Sequence, residues 1–589
     1  MARKTIARIL AAVATAAVTA AAMAQDAPPT ARSDSRCRLC RLRRRFPPSS
    51  APQRRSCPRR PQVTRETTVK TRIVSIAATV ASIATWGMTA VAASPESPEP
   101  RVDIRPAQLP YLRTIDERYQ SFQVGMSHLT GGDTWKTYDP KAKGAGQPAS
   151  LEGVREARKA ADLSSPRLRR LTAALAPLYI RYGGTTSNSV YFQDNDAPAL
   201  AKAPDGYSVV LTRAGWKRGL DFAKAVNARV VTGFTVSSGV RDAAGTWTPR
   251  MAAPWLAYTR KMGGSIYAAE LINEPNAPDS KSFPKGMDAA TFARDYAAFR
   301  AFAKHAAPAM RLAGPGVATL GIAIPNLDAL TPEDYLAASP APKFDILSYH
   351  FYGALAERCA PAGSPMGISP ENALSEDWLA RPDRQFQRHR MLRDRFAPGA
   401  PIWITETGAA ACGGTRWQPT FLDTFRYLDT HARLAKQGLD AMFTHALISG
   451  SNGVIDEKTF LPNADYWAAL LWRRLMGTRV LDAGSPAPGL HLYAHCQRGS
   501  AGGVTLLALN TGTEGRTIST GLPAQVYRLS ASELQSPTVL LNGKPLALTA
   551  QDRLPAIAPQ ASGGEVHLAP ASIGFIVLPT AANRSCKLR

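Results

Sequence analysis

The sequence predicts an α/β fold, a (β/α)8 TIM barrel followed by an all-β sandwich domain, and three observations carry that expectation. From about 115 to 480, eight short β-branched or apolar runs alternate with amphipathic helical stretches, the pattern of βα units around a closed parallel sheet. Beyond Gly484 only short alternating runs separated by Gly and Pro remain, with no helix of useful length, which suits a sandwich. At 589 residues, 45% apolar and 20% charged, the chain exceeds one ordinary domain and can bury a large core. Disordered and fibrous classes are excluded.

Residues 1–93 read as targeting sequence, twice over. Arg3, Lys4 and Arg8 precede an Ala/Val run that ends in Ala22-Met23-Ala24, and Lys70 and Arg72 precede Ile73 to Ala90 with Ala90-Val91-Ala92 as a second small-residue site. Both have the layout of a secretory signal. A translation start near Val69 would leave one signal of ordinary length and make the preceding stretch a mispredicted extension. The second run is also about the roughly 20 residues a membrane anchor needs, but its Ser, Thr and Gly content and small-residue end favour cleavage. The mature protein is expected from about Ser94, exported, soluble and free of membrane. Between the signals, Cys37 and Cys40 lie among clustered arginines. A zinc site lacks a second Cys/His pair, and a nucleic-acid arm lacks interleaved aromatics. This leader holds 17 of the 71 Lys and Arg but only Asp26, Asp34 and Glu66 of the 45 acids, so it carries about half of the net charge of +26.

Residues 94–114 are expected to pack on the β domain, and the barrel to occupy 115–482. Its strands begin at Ser121-Phe-Gln-Val-Gly125 and Leu178-Tyr-Ile-Arg-Tyr182. The next four are Arg229 to Phe234, Ile266 to Ile272, Met310 to Ala313 and Phe344 to Ser348, and the last two are Ile402 to Thr405 and Ala441 to His445. Helices are predicted over Arg213 to Val226, Ala290 to Ala307, Gln385 to Phe396 and Phe421 to Gln437. Residues 483–589 make the sandwich, from runs such as Val504 to Leu509, Val539 to Gly543 and Gly574 to Leu578.

In such a barrel, chemistry sits where strands end and loops begin, at the C-terminal face. The fourth run closes on Asn273-Glu274-Pro275-Asn276 and the seventh on Glu406. Breaking a glycosidic bond needs a proton for the leaving oxygen and an anion for the oxocarbenium-like carbon. Glu274 is therefore the candidate acid/base and Glu406 the candidate nucleophile, with Asn273 placed for the sugar 2-OH. Four cysteines follow residue 94: Cys359, Cys412, Cys496 and Cys586. An oxidising compartment would allow two disulfides, and four buried thiols is the alternative. No ligand cluster or dinucleotide motif appears in a fitting context, so no metal or organic cofactor is expected.

Asn273-Glu274-Pro275-Asn276 with Glu406 resembles clan A glycosidases, and its surroundings resemble glycoside hydrolase family 79, the heparanase and β-glucuronidase family. The likeness rests on Arg181-Tyr-Gly-Gly-Thr185, Tyr349-His350-Phe351-Tyr352-Gly353, Glu406 followed by Gly413-Gly414, Val454-Ile-Asp456, and Asp465-Tyr466-Trp467 leading to Leu475-Met-Gly477. It spans about 110 to 589, with the motifs in family order. The resemblance implies that Tyr352 hydrogen-bonds Glu406, that Tyr466 and the N–H groups around Gly413 and Gly414 hold a uronate carboxylate, and that Thr185 and His350 line the same subsite. It also implies a Cys496–Cys586 disulfide; Cys359 and Cys412 lie outside the pattern and are a possible second bridge at the cleft rim. Phe192 to Gly215 is short, without a long excisable insert, which implies a single chain active without internal cleavage.

Together these readings imply a retaining endo-β-glucuronidase of heparanase type, monomeric, cleaving acidic polysaccharides such as heparan sulfate. The net +12 carried after the leader suits a polyanion. An exo-β-glucuronidase on smaller glucuronides and a non-catalytic glycosaminoglycan-binding protein are the alternatives. Nucleic acid is not expected as a partner, since that reading rests only on the leader.

Overall fold

The computed structural model describes residues 100–138, 151–276, 287–322, 331–360, 363–485 and 488–587. The expectations for the targeting segments, the alternative start and Cys37 and Cys40 lie outside these residues. Eight strands close into a barrel in chain order: β1 (Gln120–Gly125), β2 (Leu178–Gly183), β3 (Ala228–Gly233), β4 (Ile266–Glu270), β5 (Arg311–Leu320), β6 (Ile346–Leu355), β7 (Ile402–Ala411) and β8 (Ala441–His445). Each pairs in parallel with its neighbours, and β8 closes on β1 through Met442 opposite Gln120. Every strand overlaps one of the predicted runs, and β5, β6 and β7 each continue six or seven residues past theirs.

Side chains alternate between the helical shell and the barrel interior. The interior floor is apolar: Tyr179, Val231, Ala268, Ala313, Ile346, Trp403, Ala441 and Phe443 form a separate buried cluster, with Tyr179 packed 5.0 Å from Trp403. Large rings from β2, β7 and β8 fill the space left by alanines on β4, β5 and β8. Two residues further along the same faces the interior turns polar, as Arg181, Glu270, Ser348 and Thr405, all buried. The floor keeps water from below and the polar layer carries the site above it.

Helices Arg213–Ala225, Ala289–Ala306, Arg381–Phe396 and Phe421–Gln437 cover the outside, each ending within a residue or so of its expected bound except that Arg381–Phe396 starts four residues early. Thr212 and Asp288 cap two of them, accepting from Gly215 N–H at 3.0 Å and Thr291 N–H at 2.7 Å. Periodicity left Pro166–Ala173 and Ala252–Lys261 unassigned, and both are helices.

The second domain is a sheet that includes Tyr111–Thr114, Met476–Leu481, Leu490–Gln497, Val504–Asn510, Ser572–Leu578 and Ala524–Ser530. It faces a smaller sheet of Arg101–Asp103, Arg516–Ser519 and Glu565–Leu568. Val102 and Ile104 share one core with Leu492, Val526, Val566 and Ile576, which makes this a sandwich. Helix Ala464–Leu475 runs directly into the strand Met476–Leu481, so the sheet begins before the composition shift near Gly484 that marks it in sequence. Cys496 is bonded to Cys586, and Cys359 to Cys412.

Candidate active site

Glu270 ends β4 deep in the barrel, held by Arg181 Nε at 3.0 Å and Nη2 at 2.8 Å and by the hydroxyls of Ser348 and Thr405, both at 2.7 Å. Burial opposes its ionisation, but Arg181 and these hydroxyls keep its carboxyl below the usual carboxylate range. Glu270 therefore fixes the guanidinium, whose remaining donors reach Glu406 Oε2 at 2.8 Å, Asn273 Oδ1 at 2.9 Å and Gln123. One cation thus orders both the strand-seven carboxylate and the asparagine ahead of Glu274.

Glu406 reaches the interior through an irregularity of register. Trp403 pairs with Ser348 and Ile404 with Tyr349, but His350 pairs with Glu406, so β7 slips by one residue there. A bulge of this kind re-aims a side chain, which lets Thr405 and Glu406 both serve the site. The Tyr352 hydroxyl donates to Glu406 Oε1 at 2.6 Å and lies 2.7 Å from His445 Nδ1. A phenol has one proton, so His445 donates to Tyr352 and Tyr352 to Glu406. Burial and the Glu406 carboxylate push Tyr352 far above its ordinary value, which keeps it a donor. Burial also works against an ionised Glu406, yet His350, His445, Arg181 and Tyr352 together hold its carboxyl well below the usual range. It is a carboxylate throughout the physiological range.

Glu274 sits in the left-handed region, φ 52°, a conformation costing about 1–2 kcal/mol for a residue with a Cβ. Its N–H donates to Gly316 O at 3.1 Å, and the next turn is tied to β5 by Asn276, which accepts from Ala318 N–H and donates to Ala318 O, both at 2.8 Å. His350 orients its side chain. Arg181 Nη2 lies 3.2 Å from His350 Nε2, and a guanidinium cannot accept a hydrogen bond, so Nδ1 bears the proton and donates to Glu274 Oε1 at 2.9 Å. Glu274, His350 and Glu406 each present an atom within 4.8 Å of the others. Both His350 nitrogens are already bonded, which leaves this trio no histidine donor for a metal.

These groups open into a cleft of about 630 Å³. Thr185, Glu274, Tyr352, Glu406, Gly413 and His445 line it, as do Arg155, Arg381, Arg384 and Arg388. Cys412, Gly413 and Gly414 follow one another at positive φ and carry the chain over the cleft edge. Gly413 N–H has no hydrogen-bond partner among the described residues, whereas Gly414 N–H is bonded to Ala410 O at 3.2 Å. The Cys359–Cys412 bridge ties this turn to the loop after β6.

Of the residues expected at the site, Glu274, Glu406, Asn273, His350, Tyr352, Thr185 and Gly413 come together. Tyr466 does not. It is fully buried in helix Ala464–Leu475, and its hydroxyl donates to Leu171 O at 2.9 Å. That helix is enclosed by the barrel on one side and the sheet on the other, so nine of its twelve residues are buried, and Tyr466 is a core contact. Sequence reasoning missed His445, the polar residue closing β8, which the strand-end rule itself would have supplied. It also missed Glu270, whose role depends on a partner far away in sequence.

Residues 157–432 match the N-terminal domain of glycosyl hydrolase family 79. The chain is 26% identical to heparanase-like protein 2 of Arabidopsis thaliana over 72% of its length and 86% of that protein. It is 26% identical to heparanase of Gallus gallus over 75% of its length and 94% of that protein. Among solved structures, a 4-O-α-L-rhamnosyl-β-D-glucuronidase from Fusarium oxysporum superposes with a TM-score of 0.54 at 15% identity, over 81% of this chain and all of the other, which speaks to the fold. By sequence, this chain is a glycosidase that carries, over residues 157–432, the N-terminal domain of glycosyl hydrolase family 79.

Proposed function

We propose that the protein is a retaining β-glucuronidase acting on glucuronide-containing glycosaminoglycans by double displacement. The observation that carries this is the closeness of Glu274 and Glu406, which offer atoms within 4.8 Å of one another. Retaining glycosidases hold their carboxyl groups about 5–5.5 Å apart, whereas inverting ones leave room for a water at about 6.5–9.5 Å. Glu406, ionised and aimed by Arg181 and Tyr352, attacks the anomeric carbon while Glu274 gives its proton to the leaving oxygen. The glycosyl ester then breaks as Glu274 takes a proton from the incoming water. Asn273 gives its amide oxygen to Arg181, which leaves its NH2 for the sugar 2-OH.

The acidic substrate is supported by the names of the relatives, by the arginines lining the cleft, and by Gly413, whose free N–H suits a uronate carboxylate. Export is supported by the two disulfides; no described helix is long and apolar enough to cross a membrane. The single chain is proposed to act without internal cleavage. The test is hydrolysis of an aryl β-glucuronide and of heparan sulfate by wild type, Glu406→Gln and Glu274→Gln, with the first-formed anomer read by NMR. Wild type should release the β-anomer, and Glu274→Gln should lose about 10²–10⁴ in rate, the usual worth of acid–base catalysis. An α-anomer, or a fully active Glu406→Gln, refutes the mechanism.

A further inference from the structure

We infer, resting on the glucuronidase reading above, that this cleft is closed on its glycone side, so that the enzyme removes a terminal uronate with a free 4-OH and does not cut within chains. The direction of the substrate follows from the two carboxylates. Glu274 follows β4, and its turn is bonded to Gly316 and Ala318 of β5, so the leaving group departs over that side. In a pyranose ring C4 lies opposite C1. A chain continuing from O4 must therefore run toward the far side of an eight-stranded ring, where β8 pairs with β1.

That side is occupied. After β1 the chain forms a hairpin, Gly132–Trp135 antiparallel to Arg155–Arg158, and Asp133, Thr134, Trp135 and Arg155 line the cleft. The hairpin is strapped across three neighbouring loops. A Cβ on Gly413 would fall 2.6 Å from the Trp135 ring, so the turn after β7 is glycine because the tryptophan lies against it. Tyr138 N–H donates to Ser451 Oγ at 2.9 Å in the loop after β8. Arg358, after β6, donates to Lys136 O at 2.8 Å and lays its guanidinium 3.7 Å over the Tyr138 ring. Arg158 pairs with Glu457, also after β8. Arg155 donates to Asp133 O at 3.1 Å and lies 4.9 Å over the Trp135 ring, which stiffens the wall itself.

On the β5–β6 side, by contrast, Arg384 and Arg388 line the cleft with no acidic partner among the described residues, two cations that suit an acidic leaving group. A wall on the glycone side replaces the endo action on polysaccharide chains that the resemblance implies with removal of a terminal uronate.

The test compares p-nitrophenyl β-D-glucuronide with the same glucuronide carrying an α-linked N-acetylglucosamine on O4. Wild type should hydrolyse the first, and kcat/KM on the second should be lower by roughly 100-fold or more, the order that a misplacement of 1 Å costs. Comparable rates, with release of the disaccharide, would overturn the inference and leave the glucuronidase reading intact. Failure on both substrates would overturn the glucuronidase reading and this inference with it. Trp135→Ala should narrow the gap between the two substrates; an unchanged ratio in a variant that melts like wild type would take the wall away from Trp135.

Discussion

Tyr352→Phe isolates what the frame around Glu406 does. The substitution removes a 2.6 Å hydrogen bond to the carboxylate and leaves the 2.8 Å contact from Arg181 in place. A bond to a charged acceptor is worth about 1.5–3 kcal/mol, and 1.36 kcal/mol corresponds to one pKa unit, so Glu406 should rise by about 1–2 units. His445 Nδ1, 3.6 Å from Glu406 Oε1, loses its tyrosine partner and can close part of that gap, which favours the lower figure. The assay is kcat/KM against pH on an aryl β-glucuronide. Because the carboxylate is the reactive form, the acid limb should move up by about one pH unit in the variant. The melting temperature should change little, since the ring remains packed. An acid limb that does not move would refute the assignment of Tyr352 to the nucleophile.

Arg181→Met should cost about 3–5 kcal/mol in denaturant unfolding, because it strands the buried carboxylates Glu270 and Glu406 without their cation; adding Glu270→Gln should recover part of the loss. At the junction of barrel and sandwich, His491 lies between Asp429, at 2.6 Å, and Glu376. Burial opposes its protonation, but these carboxylates raise it from 6.5 to about 9. A raised folded-state pKa means that the stabilisation is complete below about pH 6.5 and is lost as pH rises through about 9, so melting temperatures should fall over that interval in wild type and less steeply in His491→Asn. Replacing Cys359 and Cys412 together with Ser opens a link spanning 53 residues; chain entropy sets its worth at about 4 kcal/mol at most, read as a lower urea midpoint, and a midpoint that does not move would show that the bridge is dispensable.

Legibility from sequence followed the range of the interaction. The eight strands were readable because each is a local run of β-branched and apolar residues, and a strand buried on both faces must be apolar along its length. The two carboxylates were readable because strand ends in a barrel have a fixed destination. Tyr466 was misplaced because a tyrosine in an aromatic helix has the same local signature whether it faces a cleft or a core, and only the packing of Leu171 against it separates the two. Glu270 was invisible for the complementary reason. Four residues before Glu274, it looks like a second candidate acid, and its meaning appears only when Arg181, Ser348 and Thr405 arrive from three other strands.

The basic charge of the chain divides in the same way. What sequence could assign to an acidic partner was a sum over residues 94–589; what matters for function is where unpaired cations stand. Arg181 is spent on two buried carboxylates, and Arg158 is paired with Glu156 and Glu457, so neither attracts substrate. Arg384 and Arg388 have no acidic partner among the described residues and line the leaving-group side of the cleft, while at the walled side Arg155 is offset by the neighbouring Asp133. A polyanion is therefore drawn toward the leaving-group side, and because cleft walls focus such fields, raising salt should slow hydrolysis of sulfated chains far more than that of an aryl glucuronide, which carries a single carboxylate. Equal salt dependence for the two would mean that the arginines act only on the uronate that both substrates share.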